Sequence, residues 1–223
     1  MRRLPQLASL VSLAVLIAAS ASVQTPSSNM RSGGESALPH DQHAGITVSA
    51  APVTEASRAK HIFGKANPLP AGILPVEVFL RNDTRVPVQI GLDSIQLEIH
   101  HPSGRMDGID LLAPGQVASA IVHPHGAGGP RQRRFPIGMA PITDKKVARL
   151  TDVLQPLALS SDIVPPMGSI HGYLFFDLRH DFSVVDRSSL YIPDAMVIPS
   201  KTPLIFFEVS FAKPDGQLRN SSR

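Results

Sequence analysis

Apolar and polar residues alternate most clearly from Leu74 to Arg81, where Leu74, Val76, Val78 and Leu80 share one face and Glu77 and Arg81 the other. A period of two is the mark of a half-buried strand, because successive side chains point to opposite faces of a sheet. The pattern recurs in Gly45 to Ala50, and in Ile95, Leu97 and Ile99 set against Gln96, Glu98 and His100. Val86 to Ile90 also reads as a strand, and Pro87, which cannot donate to a ladder, moves it towards a sheet edge. Met106 to Leu112, Val117 to Val122 and Leu190 to Ile192 are weaker strand candidates. Asn82-Asp83-Thr84 and Pro102-Ser103-Gly104 supply turn chemistry between them.

Two segments are apolar at consecutive positions: Ile170 to Leu178, with Phe175-Phe176, and Leu204 to Ala212, with Phe206-Phe207. Such runs suit strands covered on both faces. One helix is expected, from Asp144 to Gln155 (144–155), with Val147, Leu150 and Leu154 on one side, Thr143 as N-cap and Pro156 as stop. His123 to Pro141 is rich in Gly, Pro and Arg without periodicity and reads as a long surface loop. Short strands with frequent turns and one helix predict a mostly β fold, a β-sandwich of antiparallel strands.

The order Arg81-Asn82-Asp83-Thr84, Pro87, Ile90, the Ile95 to Ile99 alternation and the Gly104 turn resembles the immunoglobulin-like modules of exported bacterial proteins. Pro166-Met167-Gly168, followed by Gly172 to Phe176, is similar to a late strand of such modules. The resemblance implies an immunoglobulin-like sandwich in which residues 113–165, with the helix, are an insertion. It implies no shared activity and carries over no functional residue.

Composition adds compartment and size. The chain has 223 residues, 43% hydrophobic and 17% charged, with 21 prolines and no cysteine: one domain's worth of core, held without disulfides. Arg2-Arg3, the apolar stretch Leu7 to Ala18 and the small-x-small triplet Ala19-Ser20-Ala21 make residues 1–21 a signal peptide for the general secretory route. The alternative is an uncleaved N-terminal membrane anchor, since Leu4 to Val23 is uncharged and close to a span in length. Residues 22–44 and 213–223 are too polar to bury much surface and read as tails around a domain over 45–212. After cleavage the product is periplasmic or extracellular, with no stable transmembrane anchor.

Charge then narrows the partners. The chain carries 21 Lys and Arg against 18 Asp and Glu, and loss of Arg2 and Arg3 with the leader leaves a charge of only +1. With no tryptophan and little net charge, nucleic acid is excluded as a partner. Arg131, Arg133, Arg134, Lys145, Lys146 and Arg149 face the single acid Asp144 between 126 and 150, which reads as a solvated loop and helix face or, alternatively, as an anion-facing patch for an envelope component or an acidic protein.

Candidate chemistry is sparse. His123-Pro124-His125 puts two imidazoles on one face of an extended chain, and His123 and His125 could chelate Cu or Zn, which needs further ligands. Asp177, His180, Asp181 and Ser183 are the compact polar set, and they suit a strand-to-turn exit. Gly168-Ser169-Ile170-His171-Gly172 is no nucleophile elbow, Gly126 to Gly129 leads to Pro130-Arg131 and no phosphate loop, and there is no His-Glu-x-x-His helix. The residues favour an exported, non-catalytic binding or scaffolding module without a cofactor. A periplasmic Cu/Zn-binding protein is the alternative and a hydrolase the third reading.

Overall fold

The structure, a computed structural model, describes residues 38–124, 144–204 and 206–212. The leader 1–21, the C-terminal tail 213–223 and most of the loop after His123 lie outside them. The described fold is mostly β, built as three four-stranded antiparallel sheets.

In the first sheet β1 (His40–His43), β2 (Ile46–Pro52), β3 (Ile73–Asn82) and β8 (Gly168–Asp177) lie side by side in that order. The second orders β11 (Thr202–Pro203), β10 (Ala195–Val197), β4 (Val88–Ile90) and β7 (Ile163–Val164). The third orders β12 (Phe207–Ser210), β9 (Ser188–Ile192), β5 (Gln96–His100) and β6 (Met106–Asp110). The helices are α1 (Ala56–Phe63), α2 (Pro114–Val122) and α3 (Lys145–Leu154).

The alternation in β3 decides what lies on each side of the first sheet. Leu74, Val76, Val78 and Leu80, with Leu174 and Phe176 of β8, join Val88 and Ile90 of the second sheet and Leu97, Leu190 and Val209 of the third in one buried core. The opposite face, at the end holding Ile73, Tyr173 and Phe175, packs on Ala59 and Phe63 of α1, Val117 and Ala118 of α2, and Leu154 of α3. Phe175 and Phe176 are therefore both buried, each in a different core, as an apolar run covered on both faces requires. The Asn82 turn also forms as its chemistry demands: buried Asn82 accepts at Oδ1 from the Thr84 amide (2.9 Å) and donates from Nδ2 to the Val86 carbonyl (2.8 Å).

Several expectations need correcting. Among the described residues three α-helices are found where one was expected. Val117 to Val122 belongs to α2, because Pro114 occupies its first turn with a pre-set φ and Gln116 Oε1 accepts from the Ala113 amide (2.8 Å). The helix expected at 144–155 is observed at Lys145–Leu154, and its N-cap is Asp144, whose Oδ1 accepts from the Lys146 amide; Thr143 lies outside the described residues. The segment 22–44 ends in structure, since His40–His43 pairs with β2 through an Ala44-Gly45 turn in which both residues have positive φ. The 113–165 segment is no appendage: β7 within it pairs with β4, and Leu159 and Leu157 bond the main chain of Tyr173 on β8. Leu204 to Ala212 contributes only Phe207–Ser210 of its length to β12, with Phe206 46% exposed. Among the described residues no helix is long and apolar enough to cross a membrane.

Candidate functional site

The residues singled out in the sequence are scattered. His123 follows α2, and its Nε2 stands 3.4 Å from Asp144 Oδ2; His125 lies outside the described residues, so the chelating pair is not brought together here. Lys145, Lys146 and Arg149 are exposed on α3, while Arg131, Arg133 and Arg134 fall outside the described residues. The polar set near 180 is a turn: Asp177 accepts from the Arg179 amide (2.9 Å), His180 Nε2 reaches the Pro70 carbonyl (3.2 Å), and Ser183 donates to Asp181. These are three separate contacts, with no partner common to the four side chains.

The structure assembles a different group, on the outer face of β3 and β8 where α1 crosses it. Cross-strand register sets Glu77 opposite Tyr173 and Phe79 opposite His171. Side chains on one face of adjacent strands stand within contact distance, so two residues from β3 meet two from β8. Glu77 Oε1 accepts from His171 Nε2 (3.1 Å) and from the Tyr173 hydroxyl (3.0 Å), and its other oxygen pairs with Arg58 of α1. A carboxylate can only accept, so His171 carries its proton on Nε2. The His171 ring stacks on Phe79 with centroids 4.3 Å apart and planes at 20°. Phe63, one helical turn and a half beyond Arg58, meets the Tyr173 ring edge-on at 5.1 Å.

This environment moves two pKa values. The hydrogen bond from His171 holds the Glu77 carboxyl below its ordinary value; burial pushes it upward and is outweighed once the Tyr173 bond and the Arg58 charge are added. Burial, followed by the neighbouring Glu77 charge, pushes the Tyr173 phenol up to about 12. Glu77 is only 13% exposed, whereas Arg58 and His171 remain nearly half open to solvent. The group can therefore hold a ligand against a guanidinium, an imidazole and an aromatic ring, with Glu77 fixing their positions.

None of this was visible as a motif. Glu77 stands out only as a charge inside an apolar strand, and His171 and Tyr173 share a face by their spacing of two.

No protein-family model matches the chain, and no curated protein matches it. Among solved structures, a functionally unknown protein from Listeria monocytogenes EGD-e aligns over 74% of this chain and 80% of its own, at 12% identity and a TM-score of 0.32. That likeness is too slight to bear on fold or function.

Proposed function

We propose that this chain is an exported, non-catalytic binding module, an immunoglobulin-like β-sandwich acting in the bacterial envelope or outside the cell. Its contact surface is the outer face of β3 and β8 around Phe79, His171 and Arg58. The basic start, apolar stretch and Ala19-Ser20-Ala21 triplet support export. The core shared by the first sheet and the other two supports a sandwich.

One observation favours binding over acid–base catalysis at Glu77 and Tyr173: both groups are moved away from neutrality. General acid–base catalysis works best with a pKa near the working pH. A carboxyl held ionised and a phenol pushed to about 12 can orient neighbours but exchange protons poorly at neutral pH. The exposed cation and imidazole, with the half-buried Phe79 ring beside them, have the chemistry of a recognition surface, where aromatic and Arg side chains carry most of the binding energy.

The test is a photo-crosslinking residue at Ser169, exposed on β8 two positions from His171, with Val153 on α3 as the control position. In the native host, a species captured from position 169 but not from 153, and lost on Arg58→Ala, is the expected result. Equal capture from both positions, or none, would overturn the reading. N-terminal sequencing of the exported protein should begin at Ser22, and an intact Met1 on membrane-bound material would refute cleavage.

A further inference from the structure

The solvent face of the third sheet carries a second constellation, unrelated to the Glu77 group. Glu98 and His100 are two apart on β5 and so project from the same face, while Leu97 and Ile99 turn into the core. Across β9, Glu208 of β12 projects on that same face, because its neighbours Phe207 and Val209 are buried. The three side chains converge: one ligand-capable atom from each of Glu98, His100 and Glu208 lies within 4.8 Å of the other two. His100 Nε2 stands 3.6 Å from Glu208 Oε1.

Ser189, on the strand between them, organises the group. Its hydroxyl donates to Glu208 Oε1 (2.9 Å) and so accepts from His100 Nε2 (2.9 Å). The Glu98 carboxylate has no hydrogen-bond or ion-pair partner among the described residues. The surroundings add further negative charge: Asp41 Oδ2 accepts from the Glu208 amide (2.9 Å), and Asp110 lies on the neighbouring β6. His43, paired with Asp41 at 2.9 Å, is the other nearby basic group. No Lys or Arg among the described residues forms an ion pair with Glu98 or Glu208. Two carboxylates and one imidazole thus converge on one face, and among the described residues neither carboxylate is paired with a Lys or Arg.

We propose that Glu98, His100 and Glu208 form a binding site for a divalent transition-metal ion of the Zn²⁺ type. One imidazole and two carboxylates suit such an ion, and three protein ligands leave a position for water. Ligand bonds of about 2.0–2.2 Å put neighbouring ligand atoms roughly 3.4 Å apart in a tetrahedron, close to the His100–Glu208 separation already present; on binding, His100 gives up its bond to Ser189 and carries its proton on Nδ1, leaving Nε2 free to ligate. Glu98, with three rotatable bonds and no partner to give up, completes the set. The +2 charge offsets the two carboxylates. The bound ion ties β5 to β12 across β9, and through Asp41 secures the seam between β12 and β1, a cross-link in a chain that has no cysteine. Neither His123 nor His125 is among these three ligands.

The experiment is calorimetric titration of untagged full-domain protein with zinc chloride alone, paired with thermal unfolding with and without the metal. One equivalent of Zn²⁺ should bind and raise the unfolding midpoint. Loss of an outer-shell partner alone typically weakens metal affinity about 10–100-fold, so His100→Ala and Glu208→Gln should each cost at least 10-fold and abolish the midpoint shift. Both side chains are about 40% exposed, so the variants should keep the parent circular dichroism. His123→Ala with His125→Ala should bind as the parent does. Absence of binding at millimolar zinc, or binding unchanged by His100→Ala, would overturn the proposal.

Discussion

Glu77 and Tyr173 share one proton network, so a change at either is read at both. A carboxyl held below its ordinary value of 4.5 stabilises the fold fully above 4.5, and that contribution is lost as pH falls below it towards the folded-state pKa. Glu77→Gln removes the charge but keeps the shape. It should cost ~1 kcal/mol at neutral pH, a modest figure because Arg58 is half exposed. The stability gap between parent and variant should close as pH drops below 4.5, which urea unfolding at several pH values measures. A gap that stays constant would mean the Glu77 charge contributes nothing. Tyr173 gives a direct optical test. The chain has two tyrosines, so Tyr191→Phe leaves Tyr173 as sole chromophore, and its absorbance titration should have a midpoint near 12. A midpoint at the ordinary 10 would mean that the phenol is neither buried nor held against Glu77.

At the scale of single elements, β2 and β3 of the first sheet were legible from alternation over a period of two and β8 from its consecutive apolar residues. β1 was not, because His40–His43 has no apolar face; its place comes from main-chain pairing and from His43 against Phe207, with ring centroids 5.5 Å apart. α1 did leave a signal, since Ala59, Ile62, Phe63 and Ala66 follow the i, i+3, i+4, i+7 spacing of a buried helical stripe. α2 was obscured by β-branched residues, although Pro114 and Gln116 mark a helix start. The candidate site was illegible for a different reason: Glu77 and His171 meet only through the β3–β8 register, which no local pattern encodes.

Two elements invite substitution. A Cβ on Gly172 would stand 2.6 Å from the Leu159 Cα and backbone nitrogen, where the 157–159 segment pairs with β8. Gly172→Ala should therefore cost about 1–3 kcal/mol by overpacking, and an unchanged denaturation midpoint would mean that the segment is free to move aside. In α3, Lys145 and Lys146 occupy the first turn, against the helix dipole. Changing both to Glu should stabilise the protein by about 0.3–1 kcal/mol each at low salt, with the gain fading as salt rises. A fall in stability would mean these lysines have favourable contacts that outweigh the dipole.

At the scale of the molecule, the two cores are not independent, because the first sheet belongs to both. β3 sends Leu74 and Val76 to one and Ile73 to the other, and β8 sends Phe176 to one and Tyr173 and Phe175 to the other. The helix layer cannot detach without exposing Ile73, Tyr173 and Phe175 on two strands that also carry the larger core. Unfolding should then be a single cooperative transition, with far-UV dichroism and tyrosine fluorescence giving coincident curves. Phe175, 1% exposed and 5.9 Å from the Phe63 ring, is the residue at which to test the coupling. Phe175→Ala should lower stability by about 3–5 kcal/mol and move both curves together. If the tyrosine signal of Tyr191→Phe, reporting on Tyr173 at the helix interface, shifted while the far-UV strand signal held, the helix layer would be a separately folding unit. With no disulfide to hold the layers together, the shared strands are what link them, so the coincidence of the two curves measures that link.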